Sequence, residues 1–247
     1  MHTLYLGPSW AVQSFESPGG EHDPIKTNLA QELELKDYTS LALYASNNFD
    51  QLSHAQHFIQ QHPELAPFRI VFVSANSLSH GYKIFNTSQV DFAKTFLLSN
   101  DPMDMVQSLE QQFYQHLNQL GVPVALIGAH TDVTCQSHDN ITVIHPSWQN
   151  FLAKSCGLNS VYGWAADIAH GWLQGIVVPK VGEVEHFDLG RDPSPTVVEE
   201  IHKIIFDTWM EIEKHKLFRS CHPNILGNQL FAKEIADSFN QWIDNVV

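Results

Sequence analysis

Short apolar runs that alternate with amphipathic stretches constrain the fold of this chain more than any other feature. The clearest run is Arg69-Ile70-Val71-Phe72-Val73, and residues 122–127 form another. An apolar run of this length is typical of a strand that is buried on both faces of a parallel sheet. Repeated units of strand and helix therefore predict a doubly wound parallel α/β fold.

The spacing of apolar residues also places the individual elements. Strands are predicted at 3–7, 40–45, 69–73, 122–127 and 141–144. Helices are predicted at 27–35, 49–61, 102–120, 197–216 and 226–246. A chain of 247 residues can bury one substantial core. We therefore expect a single domain over residues 1–247, with a three-layer, flavodoxin-like α/β/α arrangement.

Composition narrows the classes of partner. The formal net charge of −14 disfavours nucleic acid and anionic membrane surfaces, since both are bound through Lys/Arg patches. The sequence has no apolar run long enough for a spanning helix and no apolar signal core before its first predicted strand, so we expect a cytoplasmic protein. The three cysteines have no CxxC spacing and predict neither a disulfide framework nor a zinc knuckle.

Several polar residues follow directly after predicted strands. They are Ser9, Ser46-Asn47, Asn76 and the segment His130-Thr131-Asp132. Loops at the carboxyl ends of parallel strands bind ligands, so these residues should share one rim of the sheet. A serine hydroxyl becomes a good nucleophile when a base takes its proton, and His222 near the far end of the chain is the candidate base.

Three segments resemble blocks of the SGNH (GDSL-like) hydrolase superfamily. They are Gly7-Pro8-Ser9, Ser74-Ala75-Asn76-Ser77 and Arg219-Ser220-Cys221-His222-Pro223-Asn224, in the family's order along nearly the whole chain. The resemblance implies an ester hydrolase in which Ser9 attacks and His222 is the base.

The resemblance further implies how the site would bind its substrate. The Ser9 N–H, the Asn76 amide and a backbone N–H at Ser46 or Ala45 would stabilise the oxyanion. His130 and Asp132 would line the substrate cleft. The substrate would be a small ester or an acetylated carbohydrate, and the reaction would need no metal and no organic cofactor.

The chain departs from the family pattern at three places. Pro8 replaces the usual Asp of the first block, the glycine expected after the second strand is missing, and Arg219 stands where the family has the acid that orients the histidine. We therefore expect a Ser–His dyad with weak activity, in which a main-chain carbonyl orients His222 and the Arg219 side chain lies in solvent.

Two other functions remain open from the sequence. The segment Gly128-Ala129-His130-Thr131-Asp132 is similar to the G-H-x-D strand end of zinc-dependent aminoacylases and dipeptidases, in which His130 and Asp132 would bind zinc. The departures also suit a non-catalytic binding or assembly module. Region 139–195 is a candidate lid or carbohydrate-stacking surface because it carries Trp148, Trp164 and Trp172, although such tryptophans more often belong to the core.

Overall fold

The fold is built around a parallel sheet of five strands. The computed structural model describes residues 1–12, 28–44, 46–75, 102–129, 133, 135, 138–157, 177–180, 183–186, 217–219 and 222–246. The sheet contains β1 (His2–Leu6), β2 (Tyr38–Ser40), β3 (Phe68–Ser74), β4 (Val124–Gly128) and β5 (Ile141–His145). Their spatial order is β2-β1-β3-β4-β5 and every pair is parallel, which is the order of a flavodoxin-like doubly wound sheet.

Six helices are present among the described residues. They are α1 (Ser9–Val12), α2 (Leu29–Glu32), α3 (Asn48–Gln61), α4 (Pro102–Gln119), α5 (Trp148–Ser155) and α6 (Ile225–Asn245), with a 3₁₀ turn at Pro63–Leu65. Side chains of Asn28, Asn47, Ser147 and Asn224 cap α2, α3, α5 and α6, each accepting a bond from a first-turn N–H that the helix cannot satisfy. None of the described helices is both long and apolar enough to span a membrane.

Two small antiparallel ladders lie outside the main sheet. The first pairs β6 (Val177–Lys180) with β7 (Glu183–His186). The second pairs β8 (Phe218–Arg219) with β9 (His222–Pro223), immediately before α6.

The strand side chains alternate between two buried clusters. Tyr5, Val71, Val73, Ala125 and Ile127 join one cluster, which also contains core residues of α1, α2, α5 and α6. The intervening residues of the same strands join the other cluster, together with α3 and α4. The period of two is that of a pleated strand, so the apolar runs are continuous because both sets of positions are buried.

The predicted α/β fold with a parallel sheet is confirmed, and most predicted elements agree with the structure to within two or three residues. The second strand is an exception, because it spans Tyr38–Ser40 and ends well before the predicted end at 45, although the N–H groups of Leu41 and Leu43 continue to bond to the β1 side at Tyr5 and Gly7. The helix predicted at 27–35 is shorter in the structure, where α2 spans Leu29–Glu32. The predicted helix at 197–216 lies outside the described residues, and the three-layer arrangement stays a prediction.

Candidate functional site

A tight turn at the end of β1 presents Ser9. This turn, residues 7–9, is called the nucleophile turn after the predicted role of Ser9. It leaves the sheet at Gly7, whose φ is +152°. A Cβ at Gly7 would lie 2.6 Å from the Cβ of Ala11 and 2.8 Å from the Cβ of Val73. Only glycine allows the turn to pass this close to α1 and β3. Pro8 follows, and Ser9 then begins α1 with its side chain half-buried.

A separate short segment presents His222. This histidine hairpin, residues 217–219 and 222–224, is held by the β8–β9 ladder, in which Arg219 is the Cα partner of His222. The Asn224 N–H donates to the Leu217 carbonyl at 3.0 Å and closes the hairpin. The Asn224 side chain also accepts from the Gly227 N–H at 2.9 Å, so the first turn of α6 fixes where the hairpin ends.

The two segments meet at Ser9 and His222. The His222 Nε2 lies 2.7 Å from the Ser9 Oγ, although the residues are 213 positions apart in the sequence. This is hydrogen-bond distance for a serine hydroxyl and an imidazole. Both side chains are half-buried, so the pair is neither sealed in the core nor fully solvated. The fold thus brings together the two residues that the sequence predicts as nucleophile and base.

A series of packed aromatic rings connects His222 to the hydrophobic core. The Trp10 ring centroid lies 6.3 Å from that of His222, and Trp10 packs edge-on against Trp148 at 5.5 Å. Trp148 in turn stacks on Phe231 of α6 at 4.7 Å. Trp148 is fully buried, so it belongs to the core and not to an exposed carbohydrate-stacking surface. Trp164 and Trp172 lie outside the described residues.

Two buried amides of α3 reach the ends of neighbouring strands. Gln51 accepts from the Gly7 N–H at 3.1 Å and donates to the Ser46 Oγ at 2.7 Å. Asn48 accepts from the Ala75 N–H at 2.8 Å, and its Nδ2 lies 3.0 Å from the Ala75 carbonyl. Sequence reasoning missed both residues. The sequence did carry a signal for them. Two amide residues stand three positions apart at the start of α3, on the side of the helix that also carries its buried apolar residues.

The other predicted site residues have different outcomes. The Ser46 side chain is 4% exposed, and its hydroxyl donates to the Leu43 carbonyl at 2.8 Å. Asn47, from the same predicted rim segment, caps α3 through the Asp50 N–H. Ala45, Asn76, His130 and Asp132 lie outside the described residues, so their assigned roles stay predictions. The Arg219 side chain is likewise outside the described residues.

Two described cysteines are poor candidates for nucleophilic chemistry. Burial raises the pKa of Cys135 to about 11 and also raises the pKa of Cys156. Both are therefore thiols near neutral pH, whereas the reactive form is the thiolate. Cys221 lies outside the described residues.

Imidazoles and carboxylates do not gather into a metal site within the described parts of the chain. No group of three or more His, Cys, Asp or Glu side chains there could hold a metal ion. His54 and His57, which lie on the outer side of α3, are both exposed.

Compared with known proteins, the chain matches no family model, no curated protein and no solved structure.

Proposed function

We propose that this protein is a serine-dependent ester hydrolase of the SGNH type. The observation that carries the proposal is the 2.7 Å contact between the Ser9 Oγ and the His222 Nε2. A neutral imidazole at this distance can take the hydroxyl proton as the oxygen attacks a carbonyl carbon. The predicted order of the two segments along the chain, with Ser9 after the first strand and His222 before the last helix, agrees with the same assignment.

The acylation step uses both residues. The Ser9 Oγ bonds to the ester carbonyl carbon while its proton passes to the His222 Nε2, which gives a tetrahedral oxyanion and an imidazolium. The imidazolium then returns that proton to the leaving alcohol oxygen as the C–O bond breaks, leaving an acyl group on Ser9. For this step the Nε2 must be the unprotonated nitrogen, with the hydrogen of the neutral ring on Nδ1.

Deacylation repeats the sequence with water. His222 accepts a proton from water as the water oxygen attacks the acyl carbon, and it then returns the proton to the Ser9 Oγ as the acyl–oxygen bond breaks. Because one base serves both steps, a Ser–His dyad is sufficient for turnover. The half-buried position of both side chains suits this chemistry, since substrate and water must both reach them.

Oxyanion stabilisation is assigned to groups at the same rim. Ser9 is the first residue of α1, and the first N–H groups of a helix have no partner within the helix. The Asn76 amide and a backbone N–H at Ser46 or Ala45 are the other proposed donors. Asn76 follows directly after Ala75, whose backbone is bonded to Asn48 at the carboxyl end of β3.

The substrate is proposed to be a small ester or an acetylated carbohydrate. His130 and Asp132 are proposed to line its cleft, because they follow β4 as Asn76 follows β3. The net charge of −14 favours a neutral small molecule over a polyanion.

Labelling by a fluorophosphonate ester tests the proposal without knowledge of the substrate. The wild-type protein should be labelled at Ser9, and Ser9→Ala should remove both labelling and hydrolysis of p-nitrophenyl acetate while circular dichroism stays unchanged. Ser155→Ala, which alters an exposed serine at the end of α5, is the matched control and should be labelled as the wild type is.

The outcomes separate the competing functions. Labelling on another serine would reject Ser9 as the nucleophile. A folded protein with no labelling and no esterase activity would favour the binding or assembly module. Hydrolytic activity that EDTA abolishes and Zn²⁺ restores would favour the hypothesis that His130 and Asp132 bind zinc.

A further inference from the structure

We infer that Gln51 and Asn48 are positioning residues, which hold the ends of β1 and β3 and the segment that follows β2 in the geometry that the esterase reaction needs. Neither residue touches the reacting atoms. Both act through backbone groups that flank proposed catalytic positions, so the inference rests on the proposed function. We refer to these two side chains together as the α3 amide pair.

Gln51 connects the nucleophile turn to the segment that follows β2. Its Oε1 accepts from the Gly7 N–H, two residues before Ser9, and its Nε2 donates to the Ser46 Oγ. The Ser46 hydroxyl passes the connection to the Leu43 carbonyl, and the Leu43 N–H bonds to the Gly7 carbonyl. Both backbone polar groups of Gly7 are thereby tied to the same loop, one directly and one through Gln51.

Asn48 performs the corresponding role at the end of β3. Its Oδ1 accepts from the Ala75 N–H and its Nδ2 lies within hydrogen-bond distance of both the Ala75 carbonyl and the Ser74 Oγ. The side chain thus engages the N–H and the carbonyl of one peptide residue, as the next strand of a sheet would. This fixes the backbone immediately before Asn76, the proposed oxyanion donor.

The burial of the α3 amide pair argues for a role beyond surface capping. Asn48 is 4% exposed and Gln51 is 1% exposed. A buried amide is costly unless its polar atoms are bonded, and an apolar residue in its place would leave the buried Gly7 and Ala75 N–H groups without these acceptors. An apolar side chain could fill the same volume, but the hydrogen bonds of the α3 amide pair also fix the positions of particular backbone groups.

Replacement by apolar residues of similar size tests the inference without creating large cavities. Gln51→Met and Asn48→Leu should each lower the fluorophosphonate labelling rate of folded protein by about 10- to 100-fold, since displacement of a reacting group by about 1 Å can cost that much. With p-nitrophenyl acetate the loss should fall on kcat more than on KM. Gln51→Glu keeps an acceptor for the Gly7 N–H and should recover part of the rate.

Two controls isolate positioning from general destabilisation. Gln56→Met makes the same replacement on the exposed side of α3 and should leave the rate unchanged. Leu117→Ala removes a fully buried side chain of α4 from the cluster that α4 shares with α3, so it lowers stability while keeping both side chains of the α3 amide pair. Rates are normalised to the folded fraction. Amide hydrogen exchange at Gly7 should become faster in Gln51→Met and stay unchanged in Gln56→Met.

The result that overturns the inference is labelling of Gln51→Met and Asn48→Leu at the wild-type rate per folded molecule, or a loss no greater than that of Leu117→Ala. Absence of Ser9 labelling in the wild-type protein would be a different failure. It would reject the proposed function, and the positioning role with it, before any variant was compared.

Discussion

The nucleophile turn and the histidine hairpin contribute one residue each to the same contact, but they are held in different ways. The turn continues a central strand, and its glycine is enclosed by α1, β3 and the Gln51 side chain. The hairpin belongs to no part of the main sheet. It is held by a two-residue ladder, by the Asn224 bonds and by the ring of Trp10.

This difference indicates at which residues a substitution should change the labelling rate without changing the stability of the fold. A side chain added at Gly7 must disturb the core, because its Cβ would meet Ala11 and Val73. Truncation of His222 removes the proposed base while leaving the sheet as it is. Stability and labelling rate should therefore fall together when Gly7 is replaced, whereas truncation of His222 should lower mainly the labelling rate.

The largest effect on rate is expected from His222→Ala. Loss of a general base typically lowers a rate by about 10²–10⁴-fold, and the labelling rate should fall by that amount. The free energy of unfolding should change by about 1 kcal/mol or less, because the side chain is half-buried and outside the sheet. A time course of fluorophosphonate labelling measures the rate, and urea unfolding measures the free energy of unfolding.

His57→Ala, on the exposed side of α3, is the control and should change neither quantity. If His222→Ala is labelled as fast as the wild type, the 2.7 Å contact is structural and the dyad is rejected.

The next effect is expected from Gly7→Ala, which should lower stability and labelling together. The new Cβ would meet Ala11 and Val73 in a backbone conformation that other residues rarely adopt. Overpacking and backbone strain together should cost about 2–4 kcal/mol of unfolding free energy. Displacement of Ser9 should lower the labelling rate by about 10²-fold.

Gly121→Ala separates the two causes. Gly121 also has a positive φ, of +66°, but a Cβ there would meet nothing within 4 Å. It should cost only about 1 kcal/mol and leave labelling unchanged. Equal stability losses at Gly7 and Gly121 would show that the close packing around the nucleophile turn has little effect.

The sequence was sufficient to predict β1, β3 and β4 because both faces of these central strands are buried. That burial removes polar residues from the strands and leaves the apolar runs as a clear signal. The weakest prediction was the second strand, where the signal is mixed because Tyr38–Ser40 lie at the edge of the sheet and are partly exposed. A strand with exposed side chains lacks the continuous apolar run that marks a strand buried on both faces.

The contact between Ser9 and His222 could be anticipated because each residue adjoins an element that the sequence predicts, the end of β1 or the start of α6, whereas their catalytic roles stay predictions. The α3 amide pair could not, because Asn48 and Gln51 act on backbone groups of residues far away in the sequence. Gly7 and Gln51 are 44 positions apart, and no local sequence pattern indicates a hydrogen bond between them. Only the folded arrangement of strand ends gives the two amides their partners.

A smaller effect is expected from loss of the helix cap at the base of the histidine hairpin. Asn224→Ala removes the acceptor for the Gly227 N–H, and loss of such a cap typically costs about 1 kcal/mol. The hairpin should then be less ordered, and labelling should slow by up to about 5-fold, since about 1 kcal/mol corresponds to about that factor.

Asn28→Ala provides the matched control for the cap. It removes the equivalent bond at α2, where the Asn28 side chain accepts from the Gln31 N–H. Stability should fall by a similar amount, but labelling should not change, because α2 does not adjoin His222. Slower labelling in both variants would mean that the rate follows overall stability and that the two regions are not separable.

The smallest effect concerns the thiol of Cys156, which adjoins the base of the hairpin at Leu217. Burial raises its pKa, so near pH 8 the folded protein holds it as an unreactive thiol. Folding therefore favours the protonated form, and this contribution to stability is present below the ordinary cysteine pKa and is lost as the pH rises through the raised value. Its reaction with a thiol reagent, followed by peptide mapping, should be slow at pH 8 and should accelerate at higher pH than in the unfolded chain. Asn224→Ala should speed the reaction at pH 8 because the hairpin opens more often, whereas Asn28→Ala should not. If Asn28→Ala exposes Cys156 equally, the hairpin opens only with the whole fold, and the contrast between the two regions of the site is lost.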